Sequence, residues 1–191
     1  MQYNILERAI RFAVDAHAGQ TRKDGAPFIL HPLEDAAIVS TLTDDPEILA
    51  AAVLHDTVED TAVTPDQILK EFGPRVYDLV MGETEDKRPA VPPEETWQVR
   101  KEESLRALAQ TQNPAVKLLW LGDKLANMRA LHRKFFAEGE KAFNCFHNTD
   151  PKAHAWYYGT VLQLLSALSD SAAYREYENL YHEVFDRFIE A

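Results

Sequence analysis

The chain contains a single cysteine, Cys145, so it can close no intramolecular disulfide and can build no zinc site from paired cysteines. Glycine and proline are sparse, 7 and 10 of 191 residues, which excludes a loop-rich or disordered chain. Strand signals are scarce as well, since no hairpin-type turn dipeptide lies between stretches of alternating apolar residues. No apolar run approaches the roughly 20 residues that a membrane-spanning helix needs. The N-terminal segment carries Glu7, Arg8 and Arg11 inside its apolar pattern, where a secretory signal needs an unbroken apolar core. A soluble, cytoplasmic protein is the expectation. Basic residues are outnumbered, 20 Lys and Arg against 31 Asp and Glu. The net charge of −11 argues against a general binder of nucleic acid or of an anionic membrane surface.

What the sequence does have is helical periodicity. Hydrophobic residues make up 46% and charged residues 27%, ordinary values for a globular chain, and several segments repeat their apolar positions every 3.6 residues. The spacing predicts an all-α fold in one domain over 1–191, with a core over about 5–135 and C-terminal helices over about 150–190. A first helix is expected over 3–18, with Ile5, Leu6, Ala9, Ile10, Ala13 and Val14 as its apolar stripe and His17 as a structural group in its last turn. The polar turn 20–27 carries two adjacent cations, Arg22 and Lys23. His31 precedes Pro32 and is expected in an extended conformation ahead of a helix over 33–43, with Leu33, Ala36, Ala37 and Leu42 inward. Asp45-Pro46 starts the next helix, and Thr64 with Gln67 is placed to form a capping box for another. Pro74 opens a helix to about Met81. A charged, proline-rich loop over 82–96 is a candidate flap. Helices are expected from about Glu95 to Gln110 and from Asn113-Pro114 to about Phe136. An irregular stretch over 137–150 precedes two last helices, of about 17 residues from Asp150-Pro151 and from Ser171 to about Ile189. Trp156, Leu162, Leu165, Leu168, Tyr177, Leu180, Val184 and Phe188 read as packing in these.

The stretch Leu54-His55-Asp56-Thr57-Val58-Glu59-Asp60 is the most informative one. The small and apolar residues 50–54 before it indicate a buried helix, and such a helix does not end in four ionisable groups without partners, because each unpaired buried charge costs several kcal/mol. At about 100° per residue, His55, Asp56, Glu59 and Asp60 would cover one side of a continuous helix. Asp123, i,i+4 to Asn127, has Leu119, Trp120, Leu121 and Leu125 around it and faces the same penalty. With His31, these residues give a nitrogen and oxygen donor set drawn from three segments, suited to Mn, Fe or Zn with water completing the shell.

The adjacent His55-Asp56 pair, the earlier His31 and the later Asp123 resemble the HD phosphohydrolase superfamily. The finer resemblance is to the hydrolase domain of the RelA/SpoT alarmone enzymes in its free-standing form, the small alarmone hydrolases. Four blocks carry it across about 5–135: Gly19-Gln20-Thr21-Arg22-Lys23-Asp24-Gly25, Phe28-Ile29-Leu30-His31-Pro32, the 54–60 stretch, and Leu121-Gly122-Asp123-Lys124-Leu125-Ala126-Asn127-Met128-Arg129. The resemblance implies an all-α helical bundle and a Mn-dependent 3′-pyrophosphohydrolase of a nucleotide alarmone. It implies that His31, His55, Asp56 and Asp123 bind the metal. Glu59 and Asp60 would position and deprotonate the attacking water. Arg22, by stacking on the base, and Lys23 would hold the nucleotide, and Asn127 would contact the ribose or phosphate.

The site would be acidic and the substrate a polyanion, so cations must reach in from elsewhere. Lys124, Arg100 and Lys101 join Arg22 and Lys23 as candidates, although Arg100 and Lys101 also fit a solvated helix face. Ala130 stands where the family often has a polar residue lining the base pocket, so ppGpp, ppApp and the ribose phosphate of NADPH all stay open as substrates. A catalytically silent nucleotide sensor is the remaining alternative; the intact Glu59-Asp60 pair speaks against it. His132, His147, His154 and His182 fit no ligand pattern. The sequence does not give the oligomeric state.

Overall fold

Ten α-helices and two short 3-10 segments account for nearly all the regular structure in the computed structural model, which describes residues 4–23 and 25–189. Among the described residues there is no strand, only an isolated bridge between Thr21 and Pro27. No helix among them is long and apolar enough to cross a membrane. The all-α expectation holds. Tyr3, where the first helix was expected to begin, and Asp24 of the polar turn lie outside the described residues. The chain divides into two compact units, residues 1–86 with 112–123, and residues 87–111 with 124–191.

The first unit is built around a helix whose C-terminal half is fully buried. α1 (Ile5–Ala16), α2 (Leu30–Val39), α3 (Pro46–Leu54) and α4 (Thr57–Asp60) are followed by α5 (Pro65–Phe72) and α6 (Pro74–Met81). Residues 50–54 of α3 have no exposed surface, and α1, α2 and α6 all pack on it. Three successive alanines let the neighbouring helices come close, while Val53 and Leu54 supply apolar area worth about 1.5–3 kcal/mol each. Asp45 caps α3 by accepting the Glu47 amide, with Pro46 at the first helical position, where its missing N–H costs nothing. The Thr64–Gln67 capping box opens α5. Gly73 then ends α5 and starts α6 at φ +87°, a conformation that disfavours any side chain.

Several local expectations are corrected. His31 is not extended but lies one residue inside α2, because a proline in the first turn of a helix displaces no intrahelical bond. Ala37 is consequently turned to solvent, and Val14 is half exposed on α1. The 54–60 stretch is not one helix: α3 stops at Leu54, His55 and Asp56 form a turn, and α4 restarts at Thr57, whose hydroxyl donates to the Leu54 carbonyl at 2.6 Å.

The second unit holds α7 (Pro93–Gln110), the later part of α8 (Pro114–Glu138), α9 (Pro151–Leu164) and α10 (Ala172–Ile189). Asp150 caps α9 as expected, but that helix is 14 residues long and is followed by a 3-10 turn, Ser166–Leu168. The stretch after α8 is also more regular than expected: Gly139–Cys145 is a 3-10 helix, held by the burial of Ala142 and Phe143. Phe143 meets the rings of Phe135, Phe185 and Phe188 at 5.9–6.1 Å. Trp156, read as packing, is part-exposed.

The Asp45 carboxylate also binds Arg75, at 2.5 and 3.1 Å, and this guanidinium holds its pKa below the ordinary aspartate value. A depressed folded-state pKa adds stability that is complete above the unfolded value of about 3.9 and is lost as pH falls through the folded value. Asp45→Ala is therefore expected to destabilise the protein by about 0.5–2 kcal/mol at pH 7. Urea midpoints for the two proteins should converge as the pH is lowered below 4; a constant gap would contradict this.

Candidate metal centre

Two helix ends and the middle of a third helix in the first unit bring four side chains to one point. α2 supplies His31 from its first turn. The turn after α3 supplies His55 and Asp56, and the α8 portion that ends this unit supplies Asp123. His31 Nε2 lies 3.0 Å from Asp123 Oδ1 and 3.4 Å from Asp56 Oδ2. His55 Nε2 lies 3.1 Å from Asp56 Oδ2 and 3.8 Å from Asp123 Oδ1. The two imidazoles meet edge to face at 5.1 Å. His31, His55 and Asp123 are buried, and their ligand atoms lie within 4.8 Å of one another. Asp56, Glu59 and Asp60 form a second such group, less buried, that shares the turn with the first.

The protonation pattern follows from the partners. His55 Nδ1 sits 2.7 Å from the Ala52 carbonyl, to which it must donate, so in the neutral ring Nε2 carries the lone pair. That Nε2 is buried and makes no hydrogen bond, although two carboxylates stand close by. Burial opposes charging of the ring, but Asp56, Asp35 and Asp123 outweigh it and hold the His55 pKa well above its ordinary value. Burial likewise pushes the Asp56 carboxyl up, and His55 and His31 reverse this to leave it well below the usual range. A cluster of two imidazoles and two carboxylates that gathers positive charge this strongly fits a divalent cation bound by nitrogen and oxygen.

Two further groups brace the site. Gln20 accepts from His17 Nδ1 at 2.8 Å and donates to the Asp60 carbonyl at 2.7 Å, tying the end of α4 to the turn before α2. His17 is buried and stacks on Phe28 at 4.6 Å, the structural role expected of it. The Glu85 amide donates to Glu59 Oε2 at 2.9 Å, so the loop expected as a flap touches the second acidic group.

The remaining candidates fall in both units. Arg22 and Lys23 lie in the first unit on a tight turn, in which the Arg22 amide donates to the Ala26 carbonyl at 2.8 Å. Lys124, Asn127, Arg100 and Lys101 belong to the second unit. There Arg100 is buried and donates to Thr96 Oγ1 at 3.1 Å, which corrects the expected solvated face, and Lys101 stands 5.0 Å from the centre of the Tyr157 ring. His154 is buried against the Asn148 carbonyl, and His132 pairs with Glu183.

Sequence reasoning missed Asp35. Its side chain has no exposed surface, and Oδ2 is 3.2 Å from His55 Nδ1. Burial raises its pKa well above the carboxylate range. The signal was the i,i+4 spacing from His31, hidden by placing His31 outside the helix.

Comparison with known proteins supplies a second line of support. A family model described as the HD domain matches residues 9–146. A guanosine-3′,5′-bis(diphosphate) 3′-pyrophosphohydrolase of Aquifex aeolicus is 40% identical over 126 residues, 66% of this chain and 18% of that protein. A probable GTP pyrophosphokinase of Mycobacterium leprae is 33% identical over 190 residues, 96% of this chain and 23% of that one. The chain thus spans less than a quarter of the length of these curated relatives. Among solved structures, a metazoan ortholog of SpoT, described as hydrolysing ppGpp, superposes with a TM-score of 0.77 at 24% identity, covering 96% of this chain and 97% of that one. A crystal structure from Listeria monocytogenes EGD-e superposes with a TM-score of 0.71 at 28% identity, over 82% and 99% of the two chains.

Replacing Gln20 by Leu strands the buried His17 Nδ1 and removes the donor to the Asp60 carbonyl, and is expected to cost about 1–3 kcal/mol. Urea unfolding of the variant checks this; an unchanged midpoint would show that the bridge is not a brace.

Proposed function

The chain belongs to the HD domain family, and from that premise we propose that it is a Mn-dependent hydrolase that removes pyrophosphate from the ribose 3′ position of ppGpp or ppApp. The observation that carries this reading is the convergence of His31, His55, Asp56 and Asp123 in one unit, with His55 Nε2 3.1 Å from Asp56 Oδ2 and 3.8 Å from Asp123 Oδ1. The activity is drawn from the 3′-pyrophosphohydrolase among the relatives and from the alarmone hydrolysis described for the metazoan neighbour.

In this reading His31, His55, Asp56 and Asp123 hold the ion, and the two aspartates balance its charge. A divalent ion in this place would neutralise phosphoryl oxygens and make water a better nucleophile near neutral pH. Glu59 takes the proton of that water, its carboxylate steadied by the Glu85 amide at 2.9 Å. Asp60, fixed through its carbonyl by Gln20, orients the water. One water is consumed, its oxygen joins the departing pyrophosphate, and the ribose 3′ oxygen leaves as a hydroxyl. Arg22 and Lys23 bring positive charge to the polyanionic substrate, Arg22 with a planar group that can stack on the base or grip phosphate in two-point fashion.

Purified protein assayed with Mn²⁺ against ppGpp, ppApp and NADPH tests this. Release of pyrophosphate from a ppNpp substrate is expected, with loss on chelation and recovery on adding Mn²⁺. Release of orthophosphate from NADPH alone would replace the alarmone reading with a phosphatase. Glu59→Gln is expected to lower kcat by about 10²–10⁴ while leaving Mn²⁺ affinity near that of the wild type. Undiminished turnover in that variant would remove Glu59 as the base, and binding without turnover in the wild type would favour a sensor.

A further inference from the structure

Asp35 is a fully buried carboxylate in α2 for which neither oxygen makes a hydrogen bond of good geometry. Such a group costs several kcal/mol unless something nearby compensates it. His55 Nδ1 lies 3.2 Å from its Oδ2. The same nitrogen donates to the Ala52 carbonyl at 2.7 Å. The carbonyl accepts that N–H and the carboxylate stands beside it, on the side of the ring away from Nε2. The opposite helix has been cleared for this carboxylate. A Cβ at Gly122, the residue before Asp123, would fall inside van der Waals contact with Asp35 Oδ1 and 2.6 Å from Val39 Cγ2. Gly122 is helical and has ordinary backbone angles, so conformational freedom does not explain a glycine there.

We propose that Asp35 is a positioning residue for His55, holding its ring with Nε2 turned toward the cluster, and that Gly122 supplies the clearance that lets it reach. The role rests on the metal reading above. A carboxylate behind a ligating imidazole fixes ring orientation and increases its basicity, and the loss of such a partner typically costs about 10–100-fold in metal affinity.

Mn²⁺ binding, followed by the electron paramagnetic resonance signal of the free ion, separates this from a purely structural role when read beside the thermal midpoint of the metal-free protein. Asp35→Val is expected to bind Mn²⁺ about 10–100-fold more weakly. Its midpoint should be equal to or above that of the wild type, because a buried carboxyl without a well-formed hydrogen bond gives way to an apolar side chain of similar volume. Asp35→Asn keeps an oxygen that can accept from Nδ1–H and should recover part of the lost affinity. Gly122→Ala should weaken Mn²⁺ binding more when Asp35 is present than in the Asp35→Ala background, where only its contact with Val39 Cγ2 remains. If Asp35→Val proves too unstable to study, the Asn variant and the Gly122 pair decide the question. A wild-type chain that binds no Mn²⁺ overturns both this role and the metal centre. A wild type that binds, with Asp35 and Gly122 variants within twofold of it, overturns the role of Asp35 alone.

Discussion

Two imidazoles and two carboxylates aimed at one buried point form a charge problem that the first unit must solve. Asp56 and Asp123 lie 3.0–3.8 Å from His31 and His55, and solvent reaches little of any of them. Left without positive charge, the aspartates would repel one another in a medium that screens poorly. A proton on His55 is one answer, and the strong upward pull on its pKa shows how readily the cluster accepts it. A divalent ion is the other, and it also engages the nitrogen lone pair for which the protein provides no hydrogen bond.

The packing around α3 makes that convergence possible. Its alanines allow α1, α2 and α6 to approach, and its end delivers the His55-Asp56 turn to a fixed place. The break between α3 and α4 matters as much as the helix. A continuous helix would have spread His55, Asp56, Glu59 and Asp60 along one side, whereas the turn places buried His55 with His31 and Asp123 and leaves Glu59 and Asp60 beside Asp56 in a less buried group. The HD domain match and the shared helical fold place this arrangement in a family context, and the chain spans less than a quarter of the length of its curated relatives.

Much of this was legible in residue order. Caps at Asp45, Thr64 and Asp150, each followed by a proline, marked three helix starts correctly, because such caps satisfy backbone groups through purely local chemistry. His31, His55, Asp56 and Asp123 were legible because few sequences can bury such groups without a shared partner. The errors arose where packing overrode local preference. Pro32 suggested an extended His31, yet a proline is harmless in a first turn, and misplacing His31 hid its spacing from Asp35. No glycine or proline marks the turn at 55–56, which is set by a hydrogen bond from the Thr57 side chain. The solvated face assigned to Arg100 overlooked the neighbouring Thr96, and the 3-10 helix of 139–145 depends on aromatic rings distant in sequence.

Anomalous diffraction from crystals grown with Mn²⁺, collected at the manganese edge, tests the central claim most directly. The account requires one strong peak at about 2 Å from the Nε2 atoms of His31 and His55 and from oxygens of Asp56 and Asp123. A crystal that carries manganese elsewhere, or none, while these four side chains keep the positions described above, would contradict it.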